Sequence, residues 1–325
     1  VSMLHRHRGS RLLNLDHPEA VQTRPTPAVR LTAALPELRP FDLPFTIGGH
    51  TSKLARLFSA PAKARRSDFG ADGPMLVSAQ VMSETAGAAI ELEKTLSPDD
   101  YPFMRACSLG TDRSGEGDTR LFGFTVLTIT TALELMAEAA RRLVPRKRLA
   151  QAVNIRAQQW VGFERPSKRL KIKAETVDWS DKRTIAVHAR LFDMDQASQF
   201  STHFAEATLL FTNSSANDER VTPPPLTGAE PLDWTPGDVY PDRLIQGPLL
   251  QTVARVVQRG SDGLDYEVVV PSRASAVRHT EIPLFACWPL VLDGVGCGLM
   301  LWNAAEKFSG LISLPFHIRS IRFLA

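Results

Sequence analysis

The chain runs through the same order of elements twice, with a proline-rich break between the two copies. In the first copy, MLVSAQVM and AAIELEKTL read as strands. Val126 to Leu143 then switches to helical spacing, with Leu133, Met136, Ala137 and Ala140 on one face and Glu134, Glu138, Arg141 and Arg142 on the other. AVNIRAQQWVGF, LKIKAETVDW, TIAVHARLFDM and FAEATLLFTN follow as strand-like stretches joined by short polar turns. After the break at 213–237, LLQTVARVVQRG and LDYEVVVP read as strands, WPLVLDGVGCGLMLWNAAE as a helix and GLISLPFHIRSIRFLA as returning strands. Two units, each an apolar helix wrapped by an antiparallel sheet, predict an α+β fold and not a parallel βαβ one. The sequence has no glycine-rich phosphate loop, no GxSxG elbow and no HExxH.

Composition narrows the function classes. Residues 1–75 hold eight prolines, with eleven Lys and Arg against six Asp and Glu, and read as a basic linker. The remainder is slightly acidic, since the whole chain carries only +3, so nucleic-acid binding by the folded part is not expected. Cys107, Cys287 and Cys297 form neither a metal-ligand spacing nor an even disulfide framework, and no metal site is expected. The apolar run 285–302 is short, glycine-rich and interrupted by Asp293, which argues against a membrane span. The N-terminal VSMLHRHRGSRLL lacks the apolar centre of a signal peptide, so a cytoplasmic location is expected. The start at Val1 would fit a segment of a longer polypeptide.

Asp293 is the only ionisable side chain in that run, FACWPLVLDGVGCGLMLW. Burying a carboxylate without partners costs several kcal/mol or forces it to keep its proton. An acid with an adjustable pKa suits proton transfer, while the plainer reading is a structural acid bonded to nearby backbone.

Five segments together resemble the dehydratase domain of modular polyketide synthases, a double hotdog. PFMRACSLG at 102–110 is similar to the family's PFLxDHxxxG, and VLTITTALELMAEAA at 126–140 to its VLPGxxxLExAxEAA helix. IQGPLLQ at 245–251 resembles HGPxFQ, PLVLDGVGC at 289–297 resembles the DxxxQ helix, and PFHIRSIRF at 315–323 the final strand. The resemblance covers about 75–325 and implies two antiparallel sheets, each around a central helix. The implied division is a linker at 1–75, an N-terminal hotdog at 76–215, a second linker at 216–237 and a C-terminal hotdog at 238–325.

The resemblance also implies a chemistry. A His from the first hotdog would take the α-proton of a 3-hydroxyacyl thioester, and an Asp from the second would help the β-hydroxyl leave as water. The implied partners are an acyl carrier protein, whose phosphopantetheine presents the substrate, and neighbouring synthase domains; no cofactor is bound directly, and a homodimer is expected. Asp293 falls on the family's aspartate. The motif's Asp-His pair is Ala106-Cys107 here, so the expected base is absent. Thr128 replaces the helix-leading proline, Gln246 the His of HGP, and Cys297 the glutamine one turn after the aspartate.

The candidate site is therefore Asp293 and Cys107 as catalytic groups, with Thr128, Gln246, Gly247, Pro248 and Cys297 binding substrate. A thiol has a reference pKa near 8.5 and is a poor substitute for imidazole at neutrality; core packing is the competing reading for Cys107 and Cys297 alike. His188, His203 and His317 lie in strands where alternation decides which way they face, and His279 lies in a loop. Tyr240 would sit near the entrance to the second half. Two functions are open: a dehydratase-like domain that holds a carrier-bound acyl chain with dehydration lost or altered, and an active enzyme using Asp293 for double-bond isomerisation, cyclisation or atypical dehydration.

Overall fold

Strict alternation over Ala89–Leu96 buries Ile90, Leu92, Lys94 and Leu96, leaving the residues between them partly or fully exposed, so this stretch is a strand with one face in a core. A computed structural model describes residues 6–7, 10–12, 44–46, 73–109, 124–195, 203–213, 225–240, 243–244, 246–269, 276–280, 283–305, 311–312 and 315–323. Short strands β1 (Arg6–His7), β2 (Ser10–Leu12) and β3 (Pro44–Thr46) come first. Strands β4 (Gln80–Thr85) and β5 (Ala89–Leu96) precede helix α1 (Pro102–Arg105), β6 (Ser108–Leu109) and β7 (Phe124–Thr125). Helix α2 (Ile129–Leu143) leads into β8 (Arg148–Ala157), β9 (Lys168–Val177), β10 (Ile185–Asp193) and β11 (Ala205–Thr212). The second half holds β12 (Glu230–Trp234), α3 (Pro236–Val239), a 3-10 turn at Pro248–Leu250, β13 (Val253–Gly260) and β14 (Gly263–Val268). Helix α4 (Pro289–Ala305), β15 (Leu311–Ile312) and β16 (His317–Arg322) complete it.

The larger sheet has the order β3-β16-β8-β11-β10-β9-β5-β4 and is antiparallel except where β3 meets β16. Helix α2 lies across its inner face, against β5, β8, β9, β10 and β11. The smaller sheet, β12-β13-β14, carries α4, and the two long helices also touch each other. The α+β class and the two helix-on-sheet units expected from the sequence are both present.

Three local readings change. Residues 75–79, read as the start of a strand, form a turn, and β4 begins at Gln80. The stretch 216–237, read as linker, contains β12, which pairs with β13. The closing strand, expected to return to the second half's own sheet, pairs with β8 instead, Ile318 opposite Ile155 and Ile321 opposite Ala152. The physical reason is burial: Ile318 and Ile321 belong to the core under the larger sheet.

The helices also differ from their sequence patterns. Glu134 and Glu138, assigned to the polar face of α2, are fully buried. The sheet covers one side of α2 and α4 with its preceding turn covers the other, so no face of its middle is left for solvent. Helix α4 is apolar nearly all round, and most of its described side chains are buried. Leu290, Val291 and Leu292 pack into the first core, whereas Cys297, Met300, Leu301 and Trp302 pack into a second with Val253, Val256 and Tyr266. Asp293 sits where α4 passes from one core to the other.

Gly294 in α4 allows close packing that Gly296 does not need. A Cβ on Gly294 would lie 2.1 Å from Thr252 Oγ1 and 3.0 Å from Val268 Cγ1, while one on Gly296 would meet nothing within 4 Å. Gly294→Ala is expected to destabilise the fold by about 1–3 kcal/mol through overpacking. Gly296→Ala should stabilise it by about 0.5–1 kcal/mol through helix propensity. Urea midpoints of the two variants measure both effects, and equal shifts would contradict this packing.

Candidate functional site

Helix α1 is a single turn, begun by Pro102 and ended at Ala106, and it presents Cys107 immediately beyond it. Phe103 and Met104 anchor that turn in the core, and the Cys107 carbonyl accepts a hydrogen bond from Val126 N–H at 3.1 Å. The thiol is therefore fixed by its neighbours on both sides. From the second half, Gly247 approaches so closely that its N–H donates to the Ala106 carbonyl at 2.7 Å, and an added Cβ would stand 3.0 Å from Ala106 Cα. A side chain at position 247 would hold the two halves apart at the point where Cys107 faces α4.

Between them lies a narrow cleft. Among the described residues its walls are Phe103, Met104, Cys107, Val126, Thr128, Thr130 and Thr131 from the first half and Leu250, Pro289 and Asp293 from the second. Its walls are so close that no water-sized sphere fits between them. Asp293 and Cys107, the two groups singled out in the sequence, thus face one cleft at the junction of the halves.

The electrostatics of the pair oppose a thiolate. Burial pushes the Cys107 thiol well above its ordinary pKa, and the nearby Asp293 carboxyl pushes it further. Burial also raises Asp293, to about 7, partly offset by Gln246, whose Nε2 donates to Asp293 Oδ2 at 3.4 Å. Near neutral pH Asp293 is thus divided between acid and carboxylate, while Cys107 keeps its proton.

The remaining predicted residues separate. Thr128 lines the cleft, but its Oγ1 is the cap of α2, accepting from Thr131 N–H at 3.1 Å and lying 2.8 Å from the hydroxyls of Thr130 and Thr131. Gln246 is buried against Asp293, behind the cleft wall. Gly247 makes the backbone contact described above, and Pro248 is exposed at the start of the 3-10 turn. Cys297 is fully buried in the second core, with its thiol raised by burial, and is not in the cleft wall. Tyr240 is buried in the same core and accepts a hydrogen bond from Val253 N–H at 2.7 Å, so it does not line an entrance.

No imidazole is among the described walls. His188 and His203 flank Glu206 at 3.7 and 3.1 Å, and His188 and Glu206 lie on the face of the sheet turned away from α2. His279 is placed at the Pro74 carbonyl, 2.9 Å away, and His317 lies on β16 opposite Arg156. Thr130 and Thr131 are wall residues that the sequence reading passed over; their place in the first turn of a capped helix was the available signal. Among the described residues no group of His, Cys, Asp and Glu is arranged to hold a metal, and no helix is long and apolar enough to cross a membrane.

No family model matches the chain, and no curated protein matches it. Solved structures do. A trans-AT polyketide synthase dehydratase domain from Brevibacillus brevis is similar at 15% identity and a TM-score of 0.50, over 74% of this chain and 78% of that one. A variant of the PpsC dehydratase domain from Mycobacterium tuberculosis is similar at 19% identity and a TM-score of 0.52, over 77% and 81%. The dehydratase domain from the CurF module of curacin polyketide synthase gives 10% and 0.52, over 77% and 83%. The fold of this chain is the double hotdog of polyketide synthase dehydratase domains.

Proposed function

We propose that this chain is a dehydratase-like domain of a polyketide synthase that holds a carrier-bound 3-hydroxyacyl chain and has lost the ordinary dehydration reaction. The observation that carries this reading is the composition of the cleft's described walls: one carboxyl, one thiol that burial and Asp293 push upward, three threonine hydroxyls and otherwise apolar side chains. Removing water from a 3-hydroxyacyl thioester requires a base for the α-proton and an acid for the departing hydroxyl. Asp293 can supply the second. Neither the Cys107 thiol, held protonated, nor a threonine hydroxyl supplies the first.

The remaining work is architectural. Apolar walls and hydroxyls suit an acyl chain delivered on the phosphopantetheine arm of an acyl carrier protein, and Met104 is a flexible wall that can yield to it. In this reading the domain acts within a cytoplasmic, dimeric synthase, spacing its neighbours. A second reading is favoured by the place of Asp293 in the cleft wall, where burial pushes its carboxyl up to about 7. A single carboxyl poised at neutrality can donate and recover a proton, which suits double-bond isomerisation, cyclisation or an atypical dehydration.

The deciding assay incubates the chain with a 3-hydroxyacyl thioester on its carrier protein and follows water loss by mass spectrometry. No turnover is expected from the wild type, and Cys107→His should gain activity if the missing imidazole is the defect. Water loss by the wild type that Asp293→Asn abolishes would overturn the holding role in favour of the second reading.

Asp293 also makes a stability prediction. Its folded pKa is raised, so the folded state retains a proton that the unfolded chain releases; stability is full below about pH 4 and falls as pH rises through 7. Asp293→Asn should remove that fall, leaving the variant up to about 4 kcal/mol more stable than wild type at pH 8 and little changed at pH 4. Chemical denaturation at the two pH values measures it.

A further inference from the structure

A pair of buried acids outside the cleft has no part in the reading above. Glu134 and Glu138 stand one turn apart on α2, and both are fully buried. Glu138 accepts from Met75 N–H at 3.1 and 3.0 Å and from Leu76 N–H at 2.8 Å. Glu134 accepts from Ala286 N–H at 2.5 Å through Oε1 and from Cys287 N–H at 2.7 Å through Oε2. Segments from opposite ends of the folded region are thereby tied to adjacent turns of one helix. The fit at the first is close: a Cβ on Gly73 would lie 2.1 Å from Glu138 Cδ.

The second segment leads directly to Asp293. Trp288 follows the two bonded amides and has φ 59°, a left-handed conformation that is strained for a bulky side chain. Its carbonyl accepts from Val291 and Leu292 N–H, opening the first turn of α4. Glu134 therefore holds the strained turn from which the Asp293 helix starts.

We propose that Glu134 and Glu138 share one proton and act as a single clamp that positions the Asp293 helix. Two carboxylates at this spacing, both without solvent, would repel strongly. No ion pair between described residues neutralises that charge. Lys94 attracts Glu138 and Asp100 only at longer range and donates to the Val77 carbonyl, while Arg142 donates to the Leu76 carbonyl and Tyr101 to those of Pro74 and Met75. His279 lies at the Pro74 carbonyl, Cys287 stays a thiol beside the pair, and Arg141 acts on Glu134 only weakly. On β9, β10 and β11 the ionisable side chains alternate onto the opposite face of the sheet, except Lys168 and Asp193, which pair with each other at 2.8 Å. One proton between the two acids removes the repulsion. Glu138 is the group that keeps it, raised by burial and by the Glu134 charge.

This inference rests on Asp293 being the working group of the cleft, and its test needs no turnover. Amide hydrogen exchange is measured on the full chain between pH 6 and 9, together with the titration of the Asp293 carboxyl by carbon-13 NMR. A carboxyl pair that loses its proton loosens what it holds, so the wild-type protection factors of Ala286 and Cys287 should fall at least about tenfold across this range. Glu138→Gln mimics the protonated partner and should keep them constant; Asp293→Asn should leave the fall intact. Glu134→Gln should remove protection at both amides and move the Asp293 midpoint by about half a pH unit or more, without affecting the β13–β14 amides. If Glu134→Gln does not fold, the wild-type and Glu138→Gln profiles still decide. Flat wild-type protection, or equal loss in Glu138→Gln, would overturn the clamp. That outcome leaves acyl binding by the cleft standing, and failure of acyl binding leaves the clamp standing.

Discussion

A carboxyl group with no contact with water must find its partners inside the protein, and α2 carries two of them. Glu134 and Glu138 meet that demand with backbone N–H groups from residues 75–76 and 286–287. The same bonds fix where the chain enters the larger sheet and where α4 begins. Replacing Glu134 by an apolar residue would leave the Ala286 and Cys287 N–H groups without these acceptors, and replacing Glu138 would do the same to Met75 N–H, a buried orphan costing about 1–3 kcal/mol. The fold around α2 thus depends on polar satisfaction as much as on apolar burial.

The cleft is a consequence of how α4 is held. Its first turn packs into one core and its last turns into another, and Asp293 falls at the seam, facing Cys107 across the junction. Burial raises both groups, but with different results: an acid raised to about 7 remains usable near neutrality, whereas a thiol raised further is inert. Burial thus shifts both groups toward their neutral forms, the thiol further than the carboxyl.

Much of this was legible in the sequence. The alternation of β5, β9 and β10 and the helical spacing of α2 and α4 are local properties, set by which side chains share a face. Asp293 stood out because an isolated carboxyl in an apolar run must be accommodated somehow, and Cys107 because its motif position calls for imidazole. The polar face assigned to α2 was misleading. Spacing showed that Glu134 and Glu138 share a side; it did not show that residues some 150 positions later would cover that side. Cys297 illustrates the same limit, since it lies one turn beyond Asp293 but beyond the seam between the cores.

The sequence by itself determined the two helix-and-sheet units, the acid at 293 and the absence of a histidine at 107, because each is a matter of residue type and period along a continuous stretch. The tertiary structure alone decided that β16 joins the first sheet, that Gly247 seats against Ala106, that the α2 acids are buried, and that Asp293 is raised to about 7. Those outcomes depend on which distant surfaces exclude water from a given atom, and periodicity along the chain carries no record of that.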